Sequence, residues 1–168
     1  VEFFPEEGKY HYDGHRDCGV VFSPSQTRMS NSLCPKCQKK LTIGVMHRVE
    51  DLADRPDGFI PRQAIPSIHL IPLEEIIAEA LRCNVGTKAV EAEYERLIEC
   101  GGSEFEVLLE AAPDALASYA PPDVLEAIIR MRQGKVNILP GHDGVYGKIR
   151  LFGDQKEEPG NREQLKLF

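Results

Sequence analysis

Two residue pairs with the same internal spacing constrain this chain more than anything else in it. His15 and Cys18 stand two residues apart in "HRDC", Cys34 and Cys37 stand two residues apart in "CPKC", and fifteen residues separate Cys18 from Cys34. The pattern H-x2-C-x15-C-x2-C is that of a zinc ribbon with one cysteine replaced by histidine. Each pair sits on a knuckle-like turn before a β-prone segment, so two loops can clamp one tetrahedral ion. His11 lies one helical turn before His15 and is the alternative fourth ligand. A redox-active CxxC would account for "CPKC" but leaves "HRDC" unexplained, and no βαβ context surrounds it. A catalytic zinc needs an open coordination position, and four soft ligands argue for closure. The expected cofactor is therefore a structural Zn2+ that holds together a unit too small to bury enough apolar surface unaided.

The remaining pattern predicts an α+β chain. "GVVFS" and "LTIGV" have strand character, and "HRVEDLADRPDG" has that of a short helix closed by the Pro56, Asp57, Gly58 turn. A zinc-binding unit is expected over 1–58 and an extended proline-rich connector over 59–72, because each proline removes a backbone donor and restricts its predecessor. A helical domain follows over 73–134. "LEEIIAEALRC" places Leu73, Ile76, Ile77, Ala80 and Leu81 on one face, and "TKAVEAEYERLIECGG" places Val90, Tyr94, Leu97 and Ile98 on another, with Thr87 as cap. "SEFEVLLEAAP" opens with a capping box of Ser103 and Glu106 and stops at Pro113. "PPDVLEAIIRMRQGK" buries Val124, Leu125, Ile128 and Ile129. A β-hairpin turning at "HDG" is expected over 135–152, and a flexible polar tail over 153–168.

Charge bounds the partners. A net charge of −7 argues against a surface that coats nucleic acid throughout, yet the charge is segregated. From Arg28 to Arg48 there are five basic residues and no acidic one, whereas Glu74 to Glu110 holds ten acidic residues against three basic. Lys36, Lys39, Lys40 and Arg48 around the second knuckle suit phosphate contacts, as do Arg130, Arg132 and Lys135 after the last helix. The bland alternative for both patches is a solvated face. No apolar run approaches the ~20 residues of a membrane span. The opening "VEFFPEEGKY" shows neither methionine nor a secretory signal and suggests a fragment of a longer, cytoplasmic protein. Cys83 and Cys100 are expected as buried or half-buried free thiols, and His47 and His69, without partners at ligand spacing, as structural.

The strings "EGKYHYDGHRDCGVVFSP", "CPKCQKKLTIGVMHRVEDLADRP", "LIPLEEIIAEAL", "GSEFEVLLEA" and "GKVNILPGHDGVYGKI" together resemble the C-terminal half of the endonuclease Q family of DNA-repair proteins. That resemblance implies a longer protein in which a PHP-type, metal-dependent phosphoesterase domain precedes the zinc unit and nicks DNA 5′ of deaminated bases and at abasic sites. The five histidines here (11, 15, 47, 69 and 142) include no HxH pair, so the resemblance puts the catalytic divalent metals in the missing N-terminal domain and no catalytic residue in this chain. It also implies DNA and that PHP domain as partners. The turn-rich loop "PGHDGVYG", with His142 and Tyr146, can approach DNA closely or line a pocket for an extruded base; a plain hairpin end is the alternative. "QLKLF" separately resembles the bacterial sliding-clamp-binding peptide, with Gln164 as polar anchor and Leu165, Leu167 and Phe168 as apolar plugs. The competing class is a stand-alone zinc-ribbon module that binds protein, which the acidic helices favour.

Overall fold

The computed structural model of the chain describes residues 1–56 and 58–153; the proposed clamp peptide at 164–168 lies outside the described residues. The fold is α+β. A ligand-bearing β unit comes first, a helical body second, and a hairpin returns from the body to the β unit. No helix among the described residues is long and apolar enough to cross a membrane.

The β unit is built from short pieces. Strand β1 (Asp13–His15) pairs antiparallel with β2 (Val20–Phe22), with Gly14 opposite Val21. Helix α1 (Pro24–Met29) opens on a capping box in which Ser23 and Gln26 exchange side-chain and backbone bonds. "LTIGV" does not form the expected strand. Thr42 makes a single bridge to Gly14, and the chain then enters α2 (Val45–Leu52), where the Asp13 carboxylate accepts from the Gly44 N–H at 2.6 Å. The buried Asp13 carboxylate holds the turn into the helix instead.

The helical body follows its apolar periodicity. Helix α3 (Leu73–Ala80) packs on α4 (Lys88–Gly101) and α6 (Pro122–Arg132), and α5 (Pro113–Ala117) packs on α6. Leu73, Ile76, Ile77, Leu97 and Ile128 are wholly buried, each worth about 1.5–3 kcal/mol over exposure. Leu81, expected on the buried face, caps the helix and is exposed. Thr87 occupies the cap position of α4 without a side-chain cap bond. Ser103 does cap the next segment, accepting from the Glu106 N–H at 3.2 Å, but the Glu106 carboxylate answers the Ser103 hydroxyl and not its backbone. That segment ends in a π-helical stretch, Glu106–Glu110, and Pro113 opens α5 where a stop was expected, since proline suits the first helical turn.

Arg132 explains how the π-helical stretch ends. Its guanidinium donates to the carbonyls of Val107, Leu108 and Ala111 at 2.7–2.9 Å. Its reading as a DNA contact gives way to a structural one. Arg130 likewise donates to Glu126 and to the Leu151 carbonyl and lies over the Phe152 ring. Lys135 is exposed.

Strands β3 (Asn137–Leu139) and β4 (Lys148–Arg150) form the expected antiparallel hairpin, with Ile138 opposite Ile149. Its loop closes on a two-residue turn: His142 and Val145 exchange backbone bonds around Asp143 and Gly144, both at positive φ. The loop is fastened to the start of the chain. The Tyr12 N–H donates to the Gly141 carbonyl, Gly141 and Gly147 donate to the carbonyls of Glu6 and Glu7, and Gly144 donates to that of Lys9. Side chains cannot be accommodated there, because a Cβ on Gly141 would meet the Gly8 carbonyl oxygen and one on Gly147 that of Glu6.

Asp143 completes the joint. Its carboxylate accepts from the Arg16 N–H at 2.7 Å and from the Thr42 hydroxyl at 2.6 Å. Burial works against the charge, but these two donors, with Arg16 and His15 nearby, hold the carboxyl below its usual 3.8.

Two substitutions test these anchors. Arg132→Ala leaves three carbonyls without their donor and is expected to lower unfolding stability by about 2 kcal/mol in urea titrations. Asp143→Ala is expected to cost about 2 kcal/mol at neutral pH, by the same measurement. Because the folded-state pKa is depressed, this contribution is present above the unfolded value. The difference between parent and variant should vanish as pH falls through the folded value.

Candidate metal centre and its surroundings

His15 ends β1, and a 3₁₀ turn, Arg16–Cys18, carries the chain to Gly19 at φ 58, so that Cys18 turns back beside the histidine. The second knuckle is closed by its own backbone: the Cys34 N–H donates to the Lys39 carbonyl and the Gln38 N–H to that of Cys34, both at 2.8 Å. The two turns bring His15, Cys18, Cys34 and Cys37 together, with all four ligand atoms within 4.8 Å of one another. Cys37 Sγ stands 3.7 Å from His15 Nδ1. Ligands ~2.1–2.3 Å from one centre lie ~3.5–3.8 Å apart in a tetrahedron, so the donor set and its spacing fit zinc.

His15, not His11, joins this group. The His11 side chain is buried and stacked on Tyr12, with ring centroids 5.1 Å apart.

The thiols are unequal. A hydrogen bond with Cys37 pushes Cys18 up to about 11, with burial and the Cys34 sulfur adding to it. Burial also acts to raise Cys34, but N–H groups of Cys37 and Lys36, together with the neighbouring thiols, bring it below its ordinary value. Amides converging on a buried sulfur favour a thiolate. Cys34 is buried and Cys37 exposed, so the cluster has a core side and a solvent side. Val20 and Leu41 pack around Cys34 in a cluster separate from the helical core. It is very small, which is the circumstance in which a metal contributes most to folding.

The basic residues distribute unevenly. Lys36, Lys39, Lys40 and Arg48 are exposed, with Lys36 Nζ donating to the Cys18 carbonyl at 2.6 Å. Arg28 is exposed but paired with Glu50 and Asp51 of α2. His47 also serves structure, its Nδ1 standing 2.7 Å from the fully buried carboxylate of Asp13. His69 packs on the Phe4 ring. Cys83 is half-buried as expected, whereas Cys100 is exposed near the end of α4.

Beside the ligand unit runs an open groove of 1290 Å³ between the hairpin, the end of α3 and the start of α6. His142 and Tyr146 line it with Arg82, Lys148 and Arg150, opposite Glu79, Asp123 and Glu126. His142 is packed against Gly14, where a Cβ would approach its ring to 2.7 Å. Tyr146 is 68% exposed and does not pack on the core. Glu79 is spoken for in part, since Oε1 accepts from the Leu151 and Phe152 N–H groups. Spacing arguments missed Asp143, Lys9 and Tyr10. The "DG" turn was visible, but nothing in it says what it docks against.

Comparison with known proteins agrees with this geometry. A family described as the MJ0043 C-terminal domain matches residues 72–135. The chain is 40% identical over 165 residues to protein MJ0043 of Methanocaldococcus jannaschii, covering 97% of this chain and 20% of that one. It is 32% identical over 146 residues to YqxK of Bacillus subtilis, covering 87% and 34%. Among solved structures, the lesion-specific endonuclease PfuEndoQ of Pyrococcus furiosus superposes with a TM-score of 0.76 at 34% identity, over 88% of this chain and 36% of that one. An endonuclease Q bound to a 27-mer duplex substrate with an abasic lesion at its active site gives 0.72 at 32%, over 94% and 40%. The chain thus spans between a fifth and two fifths of these relatives. Over the part that it spans, it is an endonuclease Q-like protein.

Proposed function

We propose that this chain is the zinc-binding, DNA-recognition portion of a lesion-specific DNA endonuclease acting 5′ of deaminated bases and at abasic sites. The observation that carries the reading is the likeness to endonuclease Q at 34% and 32% identity, one of those structures holding duplex DNA. Such similarity over most of this chain supports a shared role for this portion, and the hydrolytic PHP domain with its divalent metals belongs to residues outside it. In this reading His15, Cys18, Cys34 and Cys37 hold one structural zinc. Lys36, Lys39, Lys40 and Arg48 meet phosphates, with Lys135 as a more distant contact, while His142 and Tyr146 face the DNA from the groove. The peptide Gln164, Leu165, Leu167 and Phe168 tethers the protein to a sliding clamp.

A second reading, a zinc-ribbon module that binds protein and has no nuclease role, draws on α2. Its Val45, Val49 and Leu52 are 61%, 49% and 64% exposed on a helix that buries nothing. A gel shift with inosine- or abasic-site duplex at low salt separates the two. The DNA reading expects a complex, and the absence of any complex with the zinc-loaded protein sinks it.

Three further outcomes are expected. Elemental analysis should find one zinc per chain, reduced to background in Cys34→Ser. Chelation should unfold the segment around residues 13–45 while the helical signal of residues 73–132 persists, as followed by hydrogen exchange. Replacing Lys36, Lys39 and Lys40 by glutamine should weaken DNA binding and make the slope of log K against log salt shallower by about 2–3, since each phosphate contact contributes roughly 0.9. An unchanged slope would show that the lysines are mere solvated surface.

A further inference from the structure

Lys9 stands between two exposed tyrosines that come from opposite ends of the chain. Its Nζ lies 5.8 Å from the centroid of the Tyr10 ring and 5.6 Å from that of Tyr146. The rings are 46% and 68% exposed. The backbone beside each ring is held even so: the Gly144 N–H donates to the Lys9 carbonyl at 2.9 Å, the Val45 N–H to that of Tyr10 at 2.8 Å, and the Gly147 N–H, next after Tyr146, to that of Glu7 at 3.0 Å. A second cation stands alongside: a Cβ placed on Gly144 would be 3.6 Å from both Arg16 Nη1 and the Tyr10 hydroxyl.

Core packing does not explain two rings left in water on a braced support. The chemistry of the cluster narrows what can use them. Lys9 and Arg16 repel a cationic ligand, which excludes the quaternary-ammonium guests that aromatic cages take. A simple phosphate needs the cations and has no use for the rings. A ligand with a flat π face and an anionic group beside it uses both, and a nucleotide is such a ligand. In paired duplex the faces of a base are covered by its neighbours. A ring on the protein can stack only on a base that has left the helix or lies at a single-stranded junction.

We propose that Tyr10 and Tyr146, with Lys9 and Arg16, form a stacking platform for an unpaired nucleobase and its phosphate at the rim of the groove. This rests on the DNA reading above and adds to it a site in which residues of the N-terminal segment take part.

The chain contains no tryptophan and five tyrosines, so its emission is tyrosine emission and stacking on a base should quench it. The zinc-loaded full chain is titrated with three labelled duplexes: fully paired, carrying a one-nucleotide bulge, and carrying the same bulge without its base. Wild type should quench with the bulged duplex and bind it about tenfold more tightly than either of the others. Tyr10→Ala with Tyr146→Ala should erase that preference, so that the bulged duplex binds no more tightly than the other two. Tyr10→Phe with Tyr146→Phe, which keeps the rings, should restore it. An unchanged thermal melt establishes that the variants are folded, and the wild-type quenching reads the platform without any substitution. If wild type binds all three duplexes alike, or if the alanine variant keeps the preference, the platform is overturned and the DNA reading stands. If none of the three binds at low salt, the DNA reading itself falls and takes the platform with it.

Discussion

The joint between the hairpin loop and the first fifteen residues is the constraint on which the rest of the architecture depends. Four backbone bonds from Tyr12, Gly141, Gly144 and Gly147, and two bonds from Arg16 and Thr42 to the Asp143 carboxylate, tie a turn near the end of the described chain to the unit that carries the candidate metal ligands. The ligand unit has only Val20, Cys34 and Leu41 as its buried apolar core. So small a core contributes little hydrophobic burial, and directional bonds carry much of the load. The glycines at 141 and 147 allow backbone to lie on backbone, and a tight seam of this kind fixes the groove wall relative to the ligand cluster. Placement of the basic knuckle and placement of the groove are thereby one problem, solved at one seam.

Much of this was legible in the sequence, and the exceptions share a cause. Ligand spacing located His15, Cys18, Cys34 and Cys37, because coordination geometry leaves few alternatives to two turns of that length. Apolar periodicity located α3, α4 and α6 and the "HDG" turn was readable from its residues, because helix faces and type I′ turns are local properties. What escaped was decided by partners far away in sequence. Arg132 looks like a surface cation until the carbonyls of Val107, Leu108 and Ala111 are seen around it. "LTIGV" has strand propensity, and a buried aspartate thirty residues earlier turns its end into a helix start. Tyr146 stands out by its loop and Tyr10 does not, and their placement on either side of Lys9 is invisible without the fold.

The charge pattern acquires a spatial meaning. The acidic excess between Glu74 and Glu110 lies in and around the helical body, and part of it is used internally. Glu104 accepts from the Leu73 N–H and from the Tyr94 hydroxyl, while Glu79 holds the end of the hairpin. The basic excess sits on the ligand unit, where only Arg28 is consumed by ion pairs with α2. A chain of net charge −7 can thus present a local cationic face while the remainder of its surface repels polyanions. In the proposed DNA reading, such an arrangement orients an approaching phosphate backbone as well as attracting it.

The seam also sets an order of events during synthesis. All four ligands have been made by residue 37, whereas Asp143 follows Arg16 by 127 residues. A contact that distant closes late and slowly compared with the two knuckles, whose own bonds span only a few residues. The knuckles therefore gather before the hairpin exists, with the pairing of β1 and β2 and the bridge from Gly14 to Thr42 as their local support. Chain growth thus completes the His15, Cys18, Cys34 and Cys37 cluster well before the hairpin that docks beside it.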